Sequence, residues 1–171
     1  MKETTKALPQ LLESEVLIRF EDCDPFGHLN NGRYIDYFLN AREDQLLENY
    51  NLDIYAIIKN TGKAWVVASN QIAYLREVKF MERVKVRTCL RWFTGSDLLM
   101  EGQMLDKETG AIKSVIWTRF AYVDIRKGQK AEHSEELVKL FSAVALEGEG
   151  KAGTVFEERV RQLKAKASTA S

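Results

Sequence analysis

The hydrophobic spacing of this chain changes once, from threes and fours to strict alternation, and that change restricts the fold to a long helix set against a run of strands. From about Asn31, residues Ile35, Phe38, Leu39, Arg42 and Leu46 recur at helical spacing, and Tyr34, Tyr37 and Ala41 widen the stripe. Asn30 or Asn31 can cap the start, and Asn49 to Asn51 mark the end. Leu52 to Ile58 reads as a short second helix closed by Asn60-Thr61-Gly62. After Gly62 the period falls to two and holds as far as Tyr122.

Trp65 to Leu75 is the first long strand expected in that stretch. Val84, Val86, Thr88, Leu90 and Trp92 alternate with Lys85, Arg87, Cys89 and Arg91, the pattern of a strand with one wet face. Thr94 to Asp97 turns the chain, Leu98 to Leu105 continues, and Gly110 fits the positive-φ position of a hairpin loop before Ile112 to Tyr122. Ahead of the helix, Val16 to Phe20 reads as a short strand broken at Pro25 and Gly27. The order is strand, long helix, antiparallel meander, which is an α+β arrangement whose helix covers one face of the sheet. Ser134 to Phe141 reads as a helix capped by Ser134. Glu147 to Gly153 reads as a linker, and Phe156 to Ala167 as a charged short helix or frayed tail. This divides the chain into a domain over 1–145 and a linker with charged tail over 146–171.

Twenty-five Lys plus Arg balance twenty-five Asp plus Glu, so no overall basic field points to nucleic acid. Any anionic ligand has to be met by a local patch. Cys23 and Cys89 are the only cysteines, and Met1-Lys-Glu-Thr-Thr-Lys6 lacks the apolar core of a signal peptide. No apolar run approaches the length of a membrane span. A cytoplasmic protein with neither a membrane nor a nucleic-acid partner is expected.

Chemistry concentrates at the junction of the first strand and the helix, Phe20 to Tyr37, which holds the carboxylates Asp22 and Asp24 among its four, a histidine, two asparagines and two glycines. Taken alone, Asp22, Asp24, His28, Asn30 and Asn31 read most simply as turn chemistry, with side chains bonding local backbone and an asparagine capping the helix. Asp22 and Asp24 without further ligands make a weak metal site, and none is expected. Cys23, flanked by acids, is a poor thiolate. His133 falls in a polar loop with no evident partner.

The ungapped run Asp22-Cys-Asp24-Pro-Phe-Gly27-His28-Leu-Asn30-Asn31-Gly-Arg-Tyr34 resembles the signature of the hotdog-fold acyl-CoA thioesterases, in the 4-hydroxybenzoyl-CoA thioesterase-like branch. That signature is Asp-x-Asp-x-x-Gly at the end of the first strand, continuing as His-(Val or Leu)-Asn-Asn-x-x-Tyr into the central helix. The resemblance implies an antiparallel sheet wrapped around a long central helix, and cofactor-free hydrolysis of an acyl-CoA to free acid and CoA. It makes Asp24 the catalytic carboxylate, acting as a nucleophile on the thioester or as a general base for water. Helix-start N–H groups near Asn30 and Asn31 would stabilise the carbonyl oxygen, and Gly27 would let backbone approach substrate. His28 and Asn31 take supporting roles, although some relatives carry an apolar residue at the position of His28. Asp22 is expected to brace the loop, and Glu43 is the reserve acid, since another thioesterase branch uses a helix carboxylate.

For the substrate, the resemblance implies contacts from Gly27, Asn30, Tyr34, Ser69 and Asn70. Arg126 and Lys127 are the expected coenzyme contacts, with Arg76 and Arg83 of a neighbouring subunit as further possibilities. Hotdog relatives pair strand edges between subunits, so a homodimer or homotetramer is expected. An acyl carrier protein thioesterase, a non-hydrolytic acyl-CoA-binding protein and a dehydratase remain alternatives on the same scaffold.

Overall fold

The computed structural model of the chain describes residues 6–150 and 153–169. Strand β1 (Leu12–Leu17) leads through a 3-10 turn at Phe20–Asp22 and a second at Asn31–Arg33 into α1 (Tyr34–Tyr50). Helix α2 (Ile54–Thr61) and strands β2 (Lys63–Tyr74), β3 (Arg83–Phe93), β4 (Asp97–Asp106) and β5 (Ile112–Asp124) follow. A two-residue strand β6 (Gln129–Lys130), α3 (Glu135–Val144) and α4 (Phe156–Thr169) complete the chain. The expected α+β hotdog arrangement is present: an antiparallel sheet in the order β1-β3-β4-β5-β2 curls around α1. Among the described residues, strand β2 pairs only with β5, which makes it a sheet edge.

The first strand lies earlier than the residues suggest. Pairing with β3 runs from Leu12 to Leu17, and Phe20, expected to end the strand, opens the 3-10 turn with its ring exposed. Propensity placed Val16 to Phe20 in the strand. The sheet instead selects Leu12 and Ser14, the latter tied to buried Gln45 of α1. At its end α1 stops on Asn51, whose φ of 53° lets the next amides turn back onto Leu46 and Leu47 carbonyls.

Tyr34, Phe38 and Ala41 of α1 pack on Val84, Val86, Met104 and Ile116 of the sheet. Gly102 of β4 permits that approach, because a Cβ there would lie 2.6 Å from Phe38 Cδ1 and 2.8 Å from Ile116 Cγ2. The polar chain Arg42, Thr88, Gln45 and Ser14 adds side-chain hydrogen bonds between α1, β3 and β1.

The stretch that read as either a short helix or a frayed tail is the helix α4. Its Phe156, Val160 and Leu163 cover Trp92, Leu99, Val115 and Trp117 on the outer face of the sheet. The same covering overturns the wet face expected for β3, because Cys89 and Arg91 are buried. Glu101, only 1% exposed, holds that layer together by accepting from Arg91, both arms of Arg159, the Trp117 indole and Gln103. Burial alone would raise the Glu101 carboxyl, but the hydrogen bonds from Arg159 and Trp117 bring it below the usual range. No helix among the described residues is long and apolar enough to cross a membrane.

Candidate active site

Between β1 and α1 the backbone donors of the loop are nearly all consumed. Asp24 Oδ1 accepts from Phe26 N–H at 2.9 Å and His28 N–H at 3.1 Å. Gly27 N–H bonds the Asp24 carbonyl, and Leu29 N–H the Val78 carbonyl. Asn30 N–H goes to the Asp22 carbonyl at 2.9 Å, so it is not available to a substrate oxygen as expected. Gly32 N–H is capped by Asn30 Oδ1 at 2.9 Å. From Cys23 to Arg33, and among the described residues, the Asn31 amide is the one N–H without a protein acceptor. It sits ahead of the first helical hydrogen bond, where a helix start favours negative charge.

The carboxylate of Asp24 is thereby fixed by one oxygen, leaving Oδ2 without a protein donor among the described residues. The turn role that Asp24 has on its residue type alone is present, through these two bonds to Oδ1. Gly27 is required for its φ of 77°, and a Cβ there would meet only Phe80 at an ordinary 3.8 Å.

His28 pairs through Nε2 with Glu77 at 3.1 Å, both side chains being substantially exposed. Asp22 does brace the loop, though through Tyr37 rather than local amides. The Tyr37 hydroxyl donates to Asp22 Oδ2 at 2.6 Å and accepts from Arg19 N–H. Burial first, and the Asp22 hydrogen bond second, push the Tyr37 phenol up to about 12. Burial, then the Asp24 and Asp22 charges, raise the Cys23 thiol, which fits its exclusion as a nucleophile.

Tyr34 is 2% exposed and stands edge-on to Tyr74, ring centroids 5.0 Å apart. It is a wall residue at most. Tyr74 in turn donates to the Asn31 carbonyl at 2.8 Å, pinning the far end of β2 to the helix start.

Ser69 and Asn70 lie in the exposed run 66–71 of edge strand β2, with Asn70 Oδ1 accepting from Thr118. Arg126 and Lys127 occupy the turn after β5, where both amides bond Asp124 Oδ1. That turn adjoins Lys63, at the opposite end of β2 from Tyr74. Eleven steps at ~3.3 Å put about 35 Å of strand between them, so within one protomer these cations do not reach Asp24.

An apolar cavity of about 220 Å³ opens between the second half of α1, α2, α3 and the start of β2, lined by Leu46, Ile58, Trp65, Met100 and Leu140 among others. Two charged residues share its wall. Glu43 accepts from the Tyr55 hydroxyl at 3.0 Å, whereas Arg42 is 8% exposed and has no carboxylate partner among the described residues. Burial draws the Arg42 guanidinium below its ordinary value.

His133, assigned to a polar loop, is buried beneath Trp65, Tyr122 and Phe141. Its Nδ1 donates to the Thr94 carbonyl at 3.0 Å and its Nε2 accepts from the Trp65 indole at 3.0 Å, which requires the neutral ring. Glu77, Tyr37, Tyr74 and Arg42 are the residues the sequence reading passed over for the site. Glu77 and Tyr74 come from distant elements with no spacing signal, and Tyr37 and Arg42 were absorbed into the helical stripe.

A family model described as the thioesterase-like superfamily matches residues 18–141. YsmA of Bacillus subtilis is 32% identical over 120 residues, covering 61% of this chain and 78% of the relative. The long-chain acyl-CoA thioesterase FadM of Escherichia coli is 24% identical over 136 residues, covering 75% and 100%. Among solved structures, SAV2348 of Staphylococcus aureus in complex with CoA superposes with a TM-score of 0.74 at 12% identity, covering 88% of this chain and 93% of that one.

Proposed function

The chain belongs to the thioesterase-like superfamily, and from that premise we propose that it hydrolyses acyl-CoA thioesters, with Asp24 as the acting carboxylate. The observation that carries the reading is the pairing of one unliganded carboxylate oxygen with one unliganded helix-start N–H in the same loop. Asp24 Oδ2 attacks the thioester carbonyl, or draws a proton from an attacking water, and the Asn31 N–H receives the charge that develops on the carbonyl oxygen. The bond from sulfur to the acyl carbon breaks, CoA leaves as the thiol, and water supplies the oxygen of the free acid. The pairing of His28 with Glu77 supports a role in ordering water rather than in polarising Asp24.

The reading includes a dimer. The exposed run of β2, residues 66–71, is centred between Ala68 and Ser69. Antiparallel pairing of two such edges about that point sets Lys63 of one subunit opposite Tyr74 of the other, and carries the partner subunit's Arg126 and Lys127 toward the Asn31 end. Pairing thus supports a phosphate contact that a single protomer cannot make. Similarity to FadM and to a CoA-bound fold supports CoA as the carrier.

Asp24→Asn tests the assignment. The amide keeps the acceptor for Phe26 and His28 N–H but is a poor nucleophile and a negligible base, so kcat on the best acyl-CoA falls by at least about a hundredfold with little change in melting temperature. Near-parental turnover would overturn the role of Asp24 and make Glu43 the acid to test.

A further inference from the structure

We propose that the cavity beside α1 receives the far end of the acyl group, and that Arg42 there recognises an oxygen, preferably a carboxylate, carried at that end. This rests on the thioesterase reading above and adds the substrate class: a long acyl chain with an apolar body and an oxygenated terminus.

The first observation is a buried guanidinium with no counter-charge among the described residues. Arg42 is more than nine-tenths buried, yet among the described residues its one hydrogen bond is from Nη1 to Thr88 Oγ1 at 2.9 Å. Thr88 is itself committed as donor to Gln45. The other buried arginine, Arg91, shows the usual solution, with Glu101 and Glu147 against it. Arg42 has no such partner among the described residues, and a buried cation in that condition is costly unless something else satisfies it.

The second observation is what Arg42 faces. It lines the cavity of about 220 Å³ together with Leu39, Leu46, Trp65, Leu90 and Met100, a wall that favours hydrocarbon. Glu43 shares the lining, but its carboxylate is held by the exposed Tyr55 hydroxyl of α2, at the outer side. An apolar chamber with one cation that has no carboxylate partner among the described residues fits a ligand that is apolar along its length and an acceptor at its tip.

The third is a route. Residues Ile35, Leu39, Glu43 and Leu46 form a half-buried stripe along one flank of α1. The space under the helix at this end is filled by Phe38, Val86 and Met104, so a chain leaving the helix start must follow the flank. Arg42 lies eleven residues beyond Asn31, about 16 Å along the axis, which excludes short acyl groups from reaching it.

The test uses the full-length protein and two readouts. The first is KM for matched acyl-CoA pairs, one plain and one carrying an ω-carboxylate or ω-hydroxyl, over a series of chain lengths. The second is calorimetric binding of a long-chain fatty acid against the corresponding alcohol, which needs no turnover. The parent prefers the carboxylate-bearing ligands, with the hydroxyl intermediate. Arg42→Met abolishes that preference, a loss of about tenfold to a hundredfold for the carboxylate relative to the plain ligand. Thr88→Val removes the internal partner and leaves the preference intact, which separates recognition from bracing of the helix. Equal losses on both ligand classes in Arg42→Met, or loss of the preference in Thr88→Val, would show Arg42 to be a brace only. A parent with no preference in either readout overturns the inference. Absence of CoA release from every substrate, with the calorimetric preference intact, would overturn the thioesterase reading alone.

Discussion

Replacing Gly102 by alanine places one methyl group where the central helix meets the sheet. The added Cβ would lie 2.6 Å from Phe38 Cδ1, 2.8 Å from Ile116 Cγ2 and 3.0 Å from Phe38 Cε1. Carbon atoms rest at about 3.5–4.0 Å, so the overlap is close to 1 Å. Phe38 and Ile116 are both 0% exposed and enclosed by the same cluster, so neither has free space to swing into. Overpacking of this kind costs about 1–3 kcal/mol, against which alanine regains about 0.5–1 kcal/mol over glycine in a strand interior. The expected net loss is about 1–2 kcal/mol, or a fall in melting temperature of roughly 2–8 °C for a chain of this size. Phe38 is on α1 two turns beyond Asn31, so relief by shifting the helix also displaces the Asn31 N–H, and kcat falls further than KM rises. The assay is urea and thermal unfolding of Gly102→Ala, Phe38→Leu and the double variant, with steady-state kinetics on each. Because Phe38→Leu removes the ring atoms in conflict, the two costs must be less than additive by at least about 0.5 kcal/mol. A neutral Gly102→Ala, or strict additivity, would refute the claim that close approach at this glycine sets the seat of the helix.

Glu101→Gln leaves Arg159 without its buried counter-charge and Arg91 dependent on Glu147, so stability falls by about 3–5 kcal/mol and α4 becomes accessible to protease before the rest of the chain unfolds; simultaneous loss of both signals would argue that α4 is not the weak partner. His133, whose titration burial lowers below its ordinary value of about 6.5, binds a proton more readily unfolded than folded. Its contribution is therefore complete above about pH 6.5 and is lost as pH falls toward the folded-state value. Urea midpoints taken from about pH 7.5 down to about pH 5 decline in the parent, and His133→Gln shows a shallower decline; an unchanged slope would assign the effect to other groups. Double substitution of Arg126 and Lys127 by alanine raises KM for acyl-CoA and spares a truncated thioester without the nucleotide, whereas equal effects on both would remove the phosphate contact. Light scattering at micromolar concentration reports at least a dimer, and a stable monomer would dissolve the shared-site model.

The helix, the meander and the junction between them were legible because each rests on local signals: spacing, turn residues and an asparagine cap. What escaped was set by partners remote in sequence. Leu12 and Ser14 joined β1 because β3 and Gln45 were there to receive them. Cys89 and Arg91 were expected at solvent because the charge that neutralises Arg91 stands ten residues on and the helix that covers them far beyond. Within the loop, the residue types at the site were readable. Which amide remained unbonded was not, because Asn30 spends its N–H on Asp22 through a fold-dependent contact.

Strand β2 leaves the ribosome well before β5, its ladder partner. Tyr74 precedes the end of β5 by fifty residues, and at synthesis rates of ~5–20 residues per second that interval lasts roughly 3–10 s. During it, Trp65, Val66 and Val67 have no ladder to join, while β1, β3 and β4 can already pair among themselves. The sheet therefore closes last at the edge proposed to bind a second subunit. The nascent chain passes through a state in which that edge strand is unpaired on both sides, the moment at which it is most open to capture by another chain.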